Sequence, residues 1–293
     1  MQRLVTYLSA FMLMFAASAS GDARAVELLT QARAAIGGEK QVAKVQGLSL
    51  AGSLQRVIGD RQVDGNVSID IQLPDKMLRT DSISPMGDSA LIVTTQGVSG
   101  DTLLRSSRIL NTPPGAMIRV PPAPPPGSDA EAQAHRGTRA DFARLTVALL
   151  LTAPASMPLE FAYGGEAESP DGKADVVDVN GPGSFMARLF LDKANHRPLM
   201  LTYRGVAPRV FMQRVTPGSA EAHGGRTAHE ADTPPAPDVV DITLFLDDYK
   251  PVDGVMLPHH ITRSIGGEAN EELTFKTIKV NPAFKADVFV IRN

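Results

Sequence analysis

Val239–Tyr249 reads VVDITLFLDDY, Lys250–Ile261 reads KPVDGVMLPHHI, and Glu271–Pro282 reads EELTFKTIKVNP. Three runs of alternating apolar residues are separated by Asp253-Gly254 and by Gly266-Gly267, the pairs that tight hairpins demand. The spacing therefore predicts an antiparallel meander. Val240, Ile242, Leu244 and Leu246 share one face of its first strand, while Asp241, Thr243 and Asp247 share the other. A sheet with one apolar face has to cover that face. Whether helices of the chain or a bound apolar molecule cover it is the functional question. The third strand carries one irregularity: Leu273 and Phe275 have one parity, Ile278 and Val280 the other. A regular strand cannot bury both pairs, so a bulge is expected near Lys276-Thr277.

Further upstream the same two-residue period recurs. Leu48, Leu50 and Leu54 alternate with Ser49, Ser53 and Gln55, and Val67, Ile69, Ile71 and Leu73 alternate with Ser68, Asp70 and Gln72. Asp64-Gly65 reads as the turn between these two strands, and Met77–Asp81 and Ala90–Thr95 as further strands. Leu159–Tyr163, Ala174–Asn180, Phe185–Leu191 and Leu199–Tyr203 follow the same logic, with turns at Ser169–Gly172, Gly181–Gly183 and Asp192–Asn195. Short strands joined by tight turns favour a meander over parallel βαβ units.

Two helices are predicted to lie against this sheet. Leu28, Leu29, Ala32, Ala35 and Ile36 form a helical stripe that Gly37-Gly38 stops, with a short second turn at Glu39–Val45. Phe142, Leu145, Leu149 and Leu150 mark an amphipathic helix over Arg139–Leu151, ended by Thr152-Ala153-Pro154. The fold class is α+β. Two stretches break the rhythm. Asn111–Asp129 holds seven prolines, which resist helix and interior strand and read as an extended loop. Gly205–Asp238 is rich in small residues and reads as a disordered insertion.

Composition narrows the function. A net charge of -3 and a pI near 6.1 argue against nucleic acid as a partner. Aromatic residues make up 5% and Trp is absent, so the interior is aliphatic and Met-containing, a lining that adapts to irregular shapes. The absence of Cys excludes disulfides, thiolate metal sites and an acylated N-terminal Cys. At the N-terminus, Arg3 precedes the apolar run Leu4–Ala17, and both Ala17-Ser18-Ala19 and Ala23-Arg24-Ala25 fit a cleavage site. That run is shorter than the ~20 residues of a spanning helix. Residues 1–25 read as a cleaved signal peptide, the product being periplasmic or secreted and not lipidated. Residues 26–293 then form a single domain.

No catalytic set emerges from the titratable residues. Strand parity places His259 beside Leu257 and Ile261 and turns His260 to the opposite face, so the pair cannot chelate one metal. His229-Glu230 starts a zincin-like pattern that Thr233 breaks, and Asp101 breaks a G-x-S-x-G around Ser99. Gly37-Gly38-Glu39-Lys40 lacks the spacing of a phosphate loop. Asp247-Asp248 diverge on a strand, and Arg204, Arg209 and Arg214 read as scattered surface charge. The chain is therefore read as non-enzymatic, with no cofactor and no metal.

Several local motifs, in this order, resemble the periplasmic lipoprotein-carrier superfamily (LolA/LolB-like and outer-membrane lipoprotein-sorting proteins). They are Ile36-Gly37-Gly38, Leu73-Pro74-Asp75-Lys76, Leu189-Phe190-Leu191-Asp192 with Arg197-Pro198-Leu199, Asp248–Pro258, and Lys279-Val280-Asn281-Pro282. The resemblance implies an incomplete antiparallel barrel, one large curved sheet with helices covering its concave face and an apolar cavity for acyl chains. In the carriers an arginine precedes the proline that ends an early strand and latches the lid. Leu73 stands there in this chain, which sets an energy-coupled hand-over apart from lipid binding. Val67, Ile69, Ile71, Phe142, Leu145, Leu149, Leu150, Leu244, Leu246 and Phe275 are the candidate lining residues. The ordinary reading of each is core packing. Every acyl CH₂ taken from water contributes roughly 0.8 kcal/mol, so two chains bind tightly without charged anchors. The expected partners are a lipid or an acylated lipoprotein, with membrane-associated envelope proteins as further partners. The alternative is an interaction or stress-sensing module whose own helices fill the cavity.

Overall fold

The computed structural model describes residues 22–85, 90–111, 124–170, 172–206 and 238–291. Two helices come first, α1 (residues 22–35) and the single turn α2 (Glu39–Val42). Five strands follow: β1 (Gly47–Ile58), β2 (Arg61–Gln72), β3 (Lys76–Ile83), β4 (Leu91–Ser99) and β5 (Thr102–Leu110). The long helix α3 (Asp129–Leu150) leads into β6 (Glu160–Ser169), β7 (Gly172–Gly181), β8 (Phe185–Asp192) and β9 (Pro198–Val206). The closing meander is β10 (Val239–Val252), β11 (Val255–Ile265) and β12 (Glu268–Val280). Residues 1–21 of the expected signal peptide, most of the proline-rich loop and the body of the Gly205–Asp238 insertion lie outside the described residues, whereas residues 22–25, read as the end of that signal, form the first turn of α1. Among the described residues, no helix is long and apolar enough to cross a membrane.

Turn chemistry sets the register. Val252 pairs with Val255 and Ile265 with Glu268. Asp253, Gly254, Gly266 and Gly267 all hold positive φ, as two-residue type I′ loops require. The described strands form one 12-stranded antiparallel sheet in the order β5-β4-β3-β2-β1-β12-β11-β10-β9-β8-β7-β6. The sheet does not close. The first and last strands meet at its centre, and β5 and β6 are its open edges. Because α3 connects one edge to the other, it has to cross the sheet. Its 22 residues reach about 33 Å, less than the ~53 Å that twelve flat strands would span, so it bridges a curled sheet.

Side-chain parity puts the core on the covered face. Leu48, Leu50 and Leu54 lie across from Ile71, Ile69 and Gly65, and the apolar members are buried. Over them lie the α1 stripe Ala25, Leu28, Leu29, Ala32 and Ile36 and the α3 residues Phe142, Val147, Leu149 and Leu150, all buried. The helices are tied to each other and to the sheet. Leu151 ends α3 in the left-handed region, and its carbonyl accepts from Arg33 Nε (3.1 Å) and Nη2 (2.9 Å). The Ile36 carbonyl accepts from Met256 N–H at 2.8 Å. On the opposite, convex face, Phe284 and Phe289 stack edge to face at 5.1 Å as the chain end folds back.

The structure refines or overturns three expectations from the sequence. The β1–β12 register shifts between Ala51, opposite Thr277, and Gly52, opposite Phe275, so Lys276 is the extra residue where the parity switch placed a bulge. The first hairpin turn is Gly59-Asp60, not Asp64-Gly65, since Ile58 pairs with Arg61. Gly65 lies inside β2, where a Cβ would come within 2.3 Å of the Ser82 carbonyl. Close strand approach, not a turn, demands glycine there. Finally, α3 begins at Asp129 rather than Arg139. Ser128 is its N-cap, Oγ accepting from Glu131 N–H at 3.2 Å.

Candidate functional site

The inward-facing parity of four strands carries charge among the aliphatic side chains. Arg56 follows Leu54 on β1, Arg79 and Asp81 sit between Met77 and Ile83 on β3, Arg263 follows Ile261 on β11, and Glu271 precedes Leu273 on β12. Four of these close a ring. Arg56 Nε donates to Glu271 Oε2 at 2.8 Å and its Nη2 to Asp81 Oδ2 at 2.5 Å. Arg79 Nε donates to Asp81 Oδ1 and its Nη2 to Glu271 Oε2, both at 2.8 Å. The ring carries two positive and two negative charges and stitches β1, β3 and β12 together across β2. Burial raises the Glu271 pKa, but Arg79 and Arg56 outweigh it and hold the carboxyl down at about 2.

A second group lies beside the ring. Arg144 of α3 donates from Nη1 to Asp141 Oδ1 at 2.9 Å. Its guanidinium packs 3.8 Å from the ring centre of Tyr203 on β9 and 5.3 Å from that of Phe185 on β8. Burial pushes the Tyr203 hydroxyl pKa up, and Arg263 interacts with that hydroxyl. The Nε atoms of Arg144 and Arg263 are buried without a hydrogen-bond partner among the described residues. An unmet buried donor costs ~1–3 kcal/mol, and more on a charged group.

Between α3 and the sheet these residues border a cleft of about 390 Å³. Its apolar wall is Ile69, Met77, Leu145, Leu244, Ile261 and Leu273; its polar side holds both arginine groups with Gln96, Thr138 and Asn270. Gln96 Nε2 donates to Thr138 Oγ1 at 2.9 Å, fastening α3 to β4. This cleft is amphipathic, one wall greasy and the other cationic.

Of the ten candidate lining residues, Ile69, Leu145 and Leu244 border the cleft. Val67, Ile71, Phe142, Leu149, Leu150, Leu246 and Phe275 lie buried in the core around it. The charged residues were missed although parity marks them: each occupies an inward position in a strand whose neighbours at two-residue spacing are aliphatic. His259 Nδ1 lies 3.1 Å from the Leu257 carbonyl, Asp248 pairs with Lys250 Nζ at 2.6 Å, and exposed Arg204 lies 3.8 Å from Asp241. His229, Arg209 and Arg214 lie outside the described residues. Among the described residues, no group of three His, Asp or Glu side chains is placed to hold a metal.

No family model matches the chain, and no curated protein matches it in sequence. Among solved structures it is similar to a LolA superfamily protein from Nitrosomonas europaea, at 9% identity and a TM-score of 0.46, covering 91% of this chain and 97% of the other. It is similar to a DUF1329 family protein from Desulfovibrio piger at 8% identity and 0.45, covering 90% and 96%. A third, a domain assigned to outer membrane lipoprotein sorting from Vibrio parahaemolyticus, is similar at 11% identity and 0.44, covering 92% and 97%.

Proposed function

We propose that this chain is a non-enzymatic binding protein of the cell envelope that holds a lipid, or an acyl chain of a lipoprotein, between α3 and the concave sheet. One observation carries the reading: the aliphatic wall of Ile69, Met77, Leu145, Leu244, Ile261 and Leu273 borders an open cleft rather than closed packing. The volume of about 390 Å³ falls in the ~300–1,000 Å³ range of small-molecule sites. At ~30 Å³ per water-sized unit, that is room for about a dozen such units, or one chain of similar length. A lipoprotein with several acyl chains needs α3 to lift. The export signal read from residues 1–25 supports a periplasmic setting. Mass spectrometry of lipids that co-purify under native conditions, with uptake of an apolar dye by delipidated protein, tests this. Bound lipid and dye enhancement are expected; a protein that takes up neither has no acyl site.

A second reading keeps the fold and gives the chain a protein partner in the envelope. It is favoured by the burial of Leu149 and Leu150 of α3 and of Ile71 on the sheet between helix and strands, which leaves only part of the concavity open. Failure of both lipid and dye binding, with cooperative unfolding intact, selects it.

A further inference from the structure

We propose that Arg263, flanked by Arg144 and Tyr203, recognises the anionic head of a single-chain amphiphile whose tail lies along the apolar wall of the same cleft. This rests on reading the cleft as an acyl site. Charge inventory comes first. Four arginines border the cleft (Arg56, Arg79, Arg144, Arg263) against three carboxylates (Asp81, Asp141, Glu271), leaving one positive charge in excess. Asp81 and Glu271 are engaged by Arg56 and Arg79, and Asp141 by Arg144. Among the described residues, Arg263 has no carboxylate within ion-pair distance, so the excess charge is its own.

The donors point the same way. Among the described residues, the Nε atoms of Arg144 and Arg263 are the buried guanidinium nitrogens without an acceptor. A carboxylate or phosphate oxygen supplies what they lack, whereas a cationic head meets an unpaired guanidinium and an alcohol brings no charge. Arg144 is pre-oriented, clamped between Asp141 and the rings of Tyr203 and Phe185, so little freedom is lost on binding. Head and tail sites adjoin: Arg263 lies opposite Leu244 in the β10–β11 register, and Ile261 precedes it by two residues on the same face. The shared chemistry is an anionic head on one acyl chain; a fatty-acid carboxylate and a lysolipid phosphate both satisfy it.

Full-length delipidated protein should be titrated, below micellar concentrations, with a series that shares a dodecyl tail: dodecanoate, dodecyl phosphate, dodecanol and dodecyltrimethylammonium. The expected result is that at least one anion binds about tenfold or more tightly than the alcohol and the cation, the range of a charged hydrogen bond. Whichever anion binds tighter distinguishes the carboxylate from the phosphate source. Arg263→Gln should bring the anions to within about twofold of the alcohol, the ratio expected once that hydrogen bond is gone, with alcohol binding retained. Arg263→Lys should keep the order of anion over cation, which separates lost charge from lost folding. Equal binding of all four heads by the wild type, or an anion preference that survives Arg263→Gln, overturns the head-group assignment alone. Failure of every dodecyl compound to bind overturns the acyl site itself.

Discussion

Glu271 has to be ionised for the fold to tolerate it. Its carboxylate is buried between two arginines from strands on either side of β2, and Oε2 accepts from both. The folded-state pKa of about 2 lies below the ordinary value of 4.5. A depressed carboxylate contributes stability that is fully present above its unfolded pKa and is lost as pH falls through the folded one. The contribution, of order 3 kcal/mol, should therefore disappear between about pH 4.5 and pH 2, read as a falling urea midpoint. Glu271→Gln should cost roughly 3–5 kcal/mol at neutral pH, because Arg56 and Arg79 then keep buried charge without that partner. The variant should also lose much of the wild-type acid slope. If the variant and the wild type show the same slope through that window, the ring does not hold its charges as described.

At the scale of elements, α3 has two halves with different work. Leu149 and Leu150 near its end are sealed between helix and sheet, whereas Leu145 borders the cleft and is partly buried. Leu149→Ala should destabilise by about 2–5 kcal/mol with cavity formation. Leu145→Ala should cost clearly less in a chemical unfolding series while weakening acyl binding; equal stability losses would place Leu145 in the sealed core instead. The N-terminal helix makes a parallel point about export. Ala25 is wholly buried in α1 and Arg24 lies 3.9 Å from buried Asp175 on β7. Cleavage of the proposed signal after Ala19 would keep both, while cleavage after Ala25 would remove both, so on that proposal N-terminal sequencing of the mature chain should begin at Ser20. A first residue of Val26 would mean that the α1 turn is dispensable. Much of this was legible in the sequence because period-two alternation and turn pairs such as Asp253-Gly254 are local signals. β5 was not, since Leu103-Leu104 and Ile109-Leu110 are paired rather than alternating, as a polar edge strand allows. The start of α3 was hidden because Ala130–Ala140 has no apolar stripe, and only the short signature of Ser128 with Glu131 announces it. The charged ring escaped because Arg56, the Arg79–Asp81 pair and Glu271 lie on strands far apart in sequence, and single-strand parity cannot show that they converge.

On the scale of the whole molecule, an open sheet and one crossing helix make the cleft's size adjustable at one end. The end of α3 is fixed by Leu149, Leu150 and the Arg33–Leu151 bonds into α1. Its first half is held more lightly, by Gln96–Thr138 and by Arg139, which reaches Asp101 at 3.3 Å and the Ser156 carbonyl at 2.8 Å. Such polar contacts are worth ~1 kcal/mol each, against several for the buried leucines. Gly137 lies within that first half, beside Thr138 and Arg139, where glycine weakens a helix by roughly 0.5–1 kcal/mol relative to alanine. Lifting the first half is therefore the inexpensive motion, and it widens the cleft toward larger ligands. The chain has no cysteine, so Gln96→Cys with Thr138→Cys creates a unique pair that a short bifunctional thiol reagent can bridge. The bridged protein should release a dodecyl ligand about tenfold more slowly than the unbridged double variant, the price of blocking ~1–2 kcal/mol of local opening. It should also fail to take up a triacyl lipopeptide that the unbridged form accepts. Identical rates and identical lipopeptide uptake in the two forms would mean that ligands enter elsewhere, past an edge strand rather than beneath α3.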